Sequence, residues 1–244
     1  MPTLLPVFAA LLWAVLIALP VQSYVPSQAK IAAAVAEANR KAGRFRVLEV
    51  AVSLHLGASE EPVATGELLS DPSGLSRLEL RGPLGDVERH LLRGRELLAS
   101  RDRRSIDAPR PLLPPFFLLQ AESGGALTAL LLNLGVSAHE VALGYQGEHD
   151  CYVLGGRAAS SRAAALSLRP AIWVDQESLE LVRFDRGDGV RFRLGPSASF
   201  GSVRLPSWIE ASDLHGFVAR LEVLSAQEVP TSSEPFHPSW LSAP

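Results

Sequence analysis

From Phe45 onward the chain is written mostly with a period of two. Val47, Glu49, Ala51 and Ser53 alternate with Leu48, Val50, Val52 and Leu54, and "VATGELLSD" and "LSRLELRG" follow after turn residues. Alternation of this kind sets one side of a strand against a core and the other toward water. It returns in "VRFRL", where Val190, Phe192 and Leu194 oppose Arg191 and Arg193, and in "GFVARLEVL", where Phe217, Ala219, Leu221 and Val223 oppose Arg220 and Glu222. Asp175 to Ser178 and Arg186 to Gly189 have hairpin-turn chemistry, so the Arg186-Gly187-Asp188 tripeptide is expected to be a turn and not an adhesion signal. "DVERHLLRGRELLASRD" predicts two strands or one long bent one around Gly94. Short links between strands predict antiparallel neighbours in one meandering sheet.

Two stretches leave this period. "VPSQAKIAAAVAEANRKAG" has Ser27 as an N-cap candidate, Ile31, Ala34, Val35 and Ala38 on one face, and a basic end before Gly43, which predicts an amphipathic helix. "RPLLPPFFLLQAESGGALTALLLNLGV" is punctuated by Pro111, Pro114, Pro115 and Gly124-Gly125 and then runs almost wholly apolar, which predicts a loop and one or two short buried helices. Phe116, Phe117, Leu118 and Leu119, with Leu127, Leu130, Leu131 and Leu134, offer more apolar surface than a connection needs. They are the candidate lid or ligand-cavity residues. A mobile lid hinged at Gly124-Gly125 and a packed plug with a glycine bend both fit them.

The first 23 residues carry no charge and are apolar from Leu4 to Val21 apart from Pro6 and Pro20. This predicts a signal peptide, cleaved after about Ser23, and hence a periplasmic protein; an uncleaved helix anchoring the chain in the inner membrane is the alternative. The expected division is a signal peptide at 1–23, one domain at 24–229 and a Pro/Ser-rich tail at 230–244. With 244 residues and 47% hydrophobic content, a single large core is within reach. A formal net charge of −3 gives no footprint for nucleic acid. The single cysteine, Cys151, forms no internal disulfide, so stability must come from burial.

No catalytic constellation, metal site or cofactor is expected. His149 and Cys151 share one side of a strand while Asp150 points away, and two ligands are too few for zinc. No P-loop, GxSxG elbow or dinucleotide fingerprint occurs. The chain is therefore expected not to be an enzyme.

An amphipathic helix after an apolar leader, a run of strands, a proline-punctuated apolar insertion, and then Trp173-Val174-Asp175 followed by Leu179-Glu180-Leu181-Val182-Arg183 resemble the periplasmic lipoprotein carriers, the LolA/LolB superfamily with its outer-membrane lipoprotein-sorting proteins. The resemblance implies an α+β fold in which a large antiparallel sheet curves into an incomplete half β-barrel, with the N-terminal helix and the mid-chain helical insertion covering its concave face. It further implies an apolar cavity holding the acyl chains of a lipid or lipidated protein, with transient membrane-protein donors and acceptors as partners. Trp173 joins the cavity candidates on this ground. The alternative function within the same fold is a periplasmic regulatory or envelope-assembly binding protein that transports no lipid.

Overall fold

The structure is a computed structural model that describes residues 25–156, 169–230 and 234–243. The expected leader at 1–23 lies outside them. Helix α1 spans Gln28–Lys41, follows Ser27, and turns its Ile31, Ala32, Val35 and Ala36 inward. The chain then forms β1 (Leu48–Leu56), β2 (Ala64–Asp71), β3 (Leu75–Arg81), β4 (Val87–Arg93), β5 (Glu96–Arg101) and the short β6 (Arg104–Ser105). A 3-10 turn at Phe116–Gln120 and helix α2 at Gly124–Asn133 interrupt the strands. The Ser123 hydroxyl accepts a hydrogen bond from the Ala126 N–H and caps α2.

Strands resume as β7 (Val141–Gln146), β8 (His149–Leu154), β9 (Ala171–Asp175), β10 (Leu181–Asp185) and β11 (Arg191–Leu194). A hairpin of β12 (Ser197–Phe200) and β13 (Val203–Pro206) leaves the main sheet, and β14 (Trp208–Ser212) and β15 (Val218–Glu228) return to it. Among the described residues the main sheet has thirteen strands in the order β6-β5-β4-β3-β2-β1-β15-β14-β11-β10-β9-β8-β7. Among the described residues every neighbouring pair in it is antiparallel. The result is an open, curved α+β sheet that does not close into a barrel, as the resemblance implied.

The period of two decides what goes where. Leu48, Val50, Val52 and Leu54 of β1, Leu68 of β2, and Leu78 and Leu80 of β3 join Ile172 and Val174 of β9 and Phe184 and Phe192 of β10 and β11 in one core on the inner face. Helices α1 and α2 and the segment from Leu112 to Leu119 fill that core from the open side. Where α2 crosses α1, a Cβ on Gly124 would stand 2.9 Å from both Cα and N of Ala33. Only glycine permits that approach. Gly124 is thus a packing residue at the head of a helix.

The outer face carries a second, smaller cluster. Val47, Leu69 and Leu91 point outward there and are covered by Phe236 of the C-terminal segment, which forms 3-10 turns at Glu234–Phe236 and Pro238–Ser242. The "GSVRLPSWIEASD" stretch is divided between two strands. Ser207 separates β13 from β14, and Val203 and Leu205 of the hairpin are buried beneath the end of α1, where the Arg204 N–H donates to the Ala42 carbonyl at 2.9 Å.

Candidate functional site

The inner face holds an apolar cleft of about 440 Å³. Leu92 and Leu97, from β4 and β5, stand on one wall, and Phe184 and Phe192, from β10 and β11, on the other. In the sheet order β3, β2, β1, β15 and β14 lie between those walls. Curvature alone brings them together. The two phenyl rings stack with centroids 6.2 Å apart and planes 14° from parallel. Pro109, Leu113, Pro115 and Leu134 complete the apolar lining. On the cleft's rim Gly187 sits against Pro170, where a Cβ would meet the ring at 2.5 Å, and its φ of +89° suits glycine.

Two arginines stand in the same lining. Arg186 donates to Oδ2 of Asp188 through Nε at 2.9 Å and Nη2 at 2.6 Å. Burial would raise the Asp188 pKa, but the bond and charge of Arg186 outweigh it and hold the carboxyl below its usual value. Arg95 instead donates through Nε to the Asn133 carbonyl at 2.5 Å and through Nη2 to the Leu132 carbonyl at 3.5 Å. It caps the C-terminal end of α2.

The candidate residues fall into three groups. Phe116, Phe117, Leu118, Leu127, Leu130 and Leu131 are all buried in the inner core, each no more than 7% exposed. Leu134 is in the same core and also lines the cleft. Trp173 is set apart. Ile172 and Val174 point inward, so Trp173 lies on the outer face, where its Nε1–H donates to Oδ2 of Asp185 at 3.1 Å and the Arg183 guanidinium stacks 4.4 Å from its ring centroid.

The open side of the inner face is filled by the chain's own plug, Pro111 to Ala121. Its entry is fixed where Arg110 Nη2 donates to Glu88 Oε2 at 2.6 Å. Its exit is fixed by Asn39 of α1, whose Nδ2 donates to the carbonyls of Leu118 and Ala121, both at 3.2 Å. Arg40 holds the Glu122 carbonyl. Buried Gln120 ties the plug to the sheet through donations to the Arg46 and Ser70 carbonyls at 2.6 and 3.1 Å. An apolar insertion announces the plug in sequence, but nothing announces these polar anchors.

Glu88 itself is buried on the inner face. Burial pushes its pKa up, yet hydrogen bonds from His90 and Arg101 and the charge of Arg110 prevail, and it falls from 4.5 to about 2. Leu92 shares its parity with Glu88 and His90, which is the one sequence signal for their inward direction.

Outer-face polar residues near β9 proved buried as well. Arg183 is 8% and Asp185 1% exposed, and they pair at 2.8 and 2.6 Å. The charges of this stretch thus form a covered network beneath Trp173, where a solvated face was expected. Asp175 closes the β9–β10 turn, its Oδ1 accepting from the Ser178 N–H at 2.6 Å and hydroxyl at 2.7 Å, while His149 donates to its Oδ2 at 2.8 Å. The Trp-X-Asp pattern is therefore architecture: one residue seals a network and the other caps a turn. Cys151 is fully buried, and burial and nearby Asp175 push its thiol up to about 11, so it stays protonated at neutral pH. Among the described residues no group of three or more His, Cys, Asp or Glu side chains is placed to hold a metal ion.

No family model and no curated protein matches the chain. Solved structures do. A LolA superfamily protein from Nitrosomonas europaea superposes with a TM-score of 0.52 at 14% identity, over 89% of this chain and 100% of that one. An outer membrane lipoprotein-sorting protein domain from Vibrio parahaemolyticus gives 0.51 at 8% identity, over 88% of this chain and 100% of that one. Identity this low speaks for architecture alone. The curved open sheet, the helices on its inner face and the superposition over nearly nine-tenths of the chain agree: this chain has the LolA fold.

Proposed function

We propose that this protein binds the acyl chain of a lipid or lipidated protein on the inner face of its half-barrel and hands it on, acting as a carrier and not as an enzyme. The observation that carries the reading is the plug. Its side chains from Leu112 to Leu119 fill the core, yet it is bounded by polar fastenings at Glu88 and Asn39, and the apolar cleft opens beside Leu113, Pro115 and Leu134. A segment that is apolar throughout but secured at its two ends is suited to exchange with an apolar ligand. Burial of a chain stabilises by ~0.8 kcal/mol per methylene, through the same kind of apolar contact that the plug makes. A site of 440 Å³ is also within the ~300–1,000 Å³ usual for ligand pockets.

The compartment we propose is the periplasm, by analogy with the lipoprotein-sorting domain and the apolar leader at 1–23. Among the described residues no helix is long and apolar enough to cross a membrane. Native mass spectrometry of protein purified from its own envelope tests the reading. Co-purifying lipid, or uptake of added acyl ligand that increases in an Asn39→Ala variant, supports it. Protein that stays lipid-free in both forms sinks it.

A further inference from the structure

We propose that the cleft takes a single-chain amphiphile with an anionic head, its tail on the apolar lining and its head beside Arg95. This inference rests on the acyl-binding reading above and adds the ligand's chain number and charge. Size sets the first. If each methylene is given roughly the ~30 Å³ of a water molecule, 440 Å³ holds about fifteen such units, one acyl tail and not two or three.

Charge sets the second. Arg186 already has a carboxylate, since Asp188 takes both of its donated bonds. Arg95 has none: its bonds go to the neutral carbonyls of Asn133 and Leu132, and no carboxylate among the described residues lies within 4.0 Å of it. The end of α2 offers about half a unit of negative charge, which leaves the rim net positive. A guanidinium at the edge of apolar walls formed by Leu92, Leu97 and Phe184 is arranged for a carboxylate or phosphate carried on a hydrocarbon tail.

Isothermal titration of the full chain, below the critical micelle concentration, tests this with three ligands sharing a palmitoyl tail: hexadecanoate, palmitoyl-lysophosphatidate and monopalmitoylglycerol. At least one anionic ligand should bind about tenfold tighter than the neutral glyceride, and the preference should shrink in high salt. Hexadecanoate preferred over lysophosphatidate assigns a fatty acid head, and the reverse order a lipid phosphate. Arg95→Gln keeps a donor for the helix-end carbonyls and should cut the preference to under threefold while leaving the glyceride's affinity within twofold. Asp188→Asn, which frees the Arg186 charge without touching Arg95, should strengthen the preference severalfold. Equal affinity for neutral and anionic ligands, or a preference unchanged in Arg95→Gln, overturns the inference but leaves acyl binding intact. Failure of all three ligands to bind overturns the acyl-binding reading as well.

Discussion

Two segments outside the strands cover the sheet, one on each face, and they are fastened in opposite ways. The plug on the inner face, Pro111 to Ala121, is apolar along most of its length and makes its polar contacts at its ends, through Arg110 to Glu88 and through Asn39 and Gln120. The strap on the outer face, residues 234–243, inserts little more than Phe236 and is held along its length. Arg89 donates to the carbonyls of Trp240 and Ala243 at 3.1 and 2.6 Å, Ser100 donates to the Leu241 carbonyl at 2.6 Å, and Arg77 and Arg89 lie over the Trp240 ring. Between its ends the plug makes apolar core contacts, which ask only for an apolar partner. The strap is tailored to its arginines, and Phe236 packs on the small cluster of Val47, Leu69 and Leu91 beneath it. Under the proposed function, exchange is therefore assigned to the inner face.

The largest test of this contrast is Phe117→Ala. Removing a fully buried ring should cost about 3–5 kcal/mol in urea unfolding, and added acyl ligand should restore part of that by filling the space. A variant that is destabilised and gains nothing from ligand would make the plug an ordinary core segment. Acid comes next. The Glu88 pKa is lower in the folded protein, so its contribution is full above about 4.5 and is lost as pH falls toward about 2. Unfolding experiments should show a loss of order 2 kcal/mol across that window, reduced from the pKa difference because the arginine partners are partly solvated. Glu88→Gln should flatten that slope. The strap's contacts, arginine and serine donors to carbonyls, do not titrate there.

Smaller again is Asn39→Ala, which takes the side-chain donor from two buried carbonyls and should cost about 1–2 kcal/mol while raising the rate of acyl uptake, followed by fluorescent-lipid binding. Trp240→Ala should cost about 1 kcal/mol, since the ring is half-buried and loses its contacts with Arg77 and Arg89. It should leave uptake unchanged. If Trp240→Ala accelerates uptake as Asn39→Ala does, the two faces are coupled and the contrast fails.

The pattern of residues revealed the fold better than the site, for a physical reason. Alternation is local, so Leu48 to Leu54 and Val190 to Leu194 announce their faces unaided, and Ser27 and Gly43 bracket α1. The apolar insertion likewise declared itself in Phe116 to Leu119. The cleft did not, because Leu92 and Phe184 meet only through sheet curvature accumulated over the strands between them. Trp173 shows the limit within a single strand. In "AIWVD" every residue can pack, and only the pairing of Trp173 with Arg183 and Val153 reveals that it turns outward. Nor does composition distinguish a buried Asp185 from a wet one. Its burial depends on Trp173 and Arg183 arriving from neighbouring positions.

The sheet order has a kinetic consequence. Strands β1 to β6 form one meander by local pairing, and β7 to β11 another, yet the two halves join at a single seam where β1 meets β15, Leu48 beside Glu228 and Leu56 beside Ala219. Nearly the whole domain separates those partners along the chain, so the seam closes late and slowly compared with the hairpins. Until Val218 to Glu228 have left the ribosome, the first strand lacks one neighbour and the inner face cannot assemble. Such a polypeptide carries an incomplete sheet, its first strand open along one edge, until its last long strand has been made.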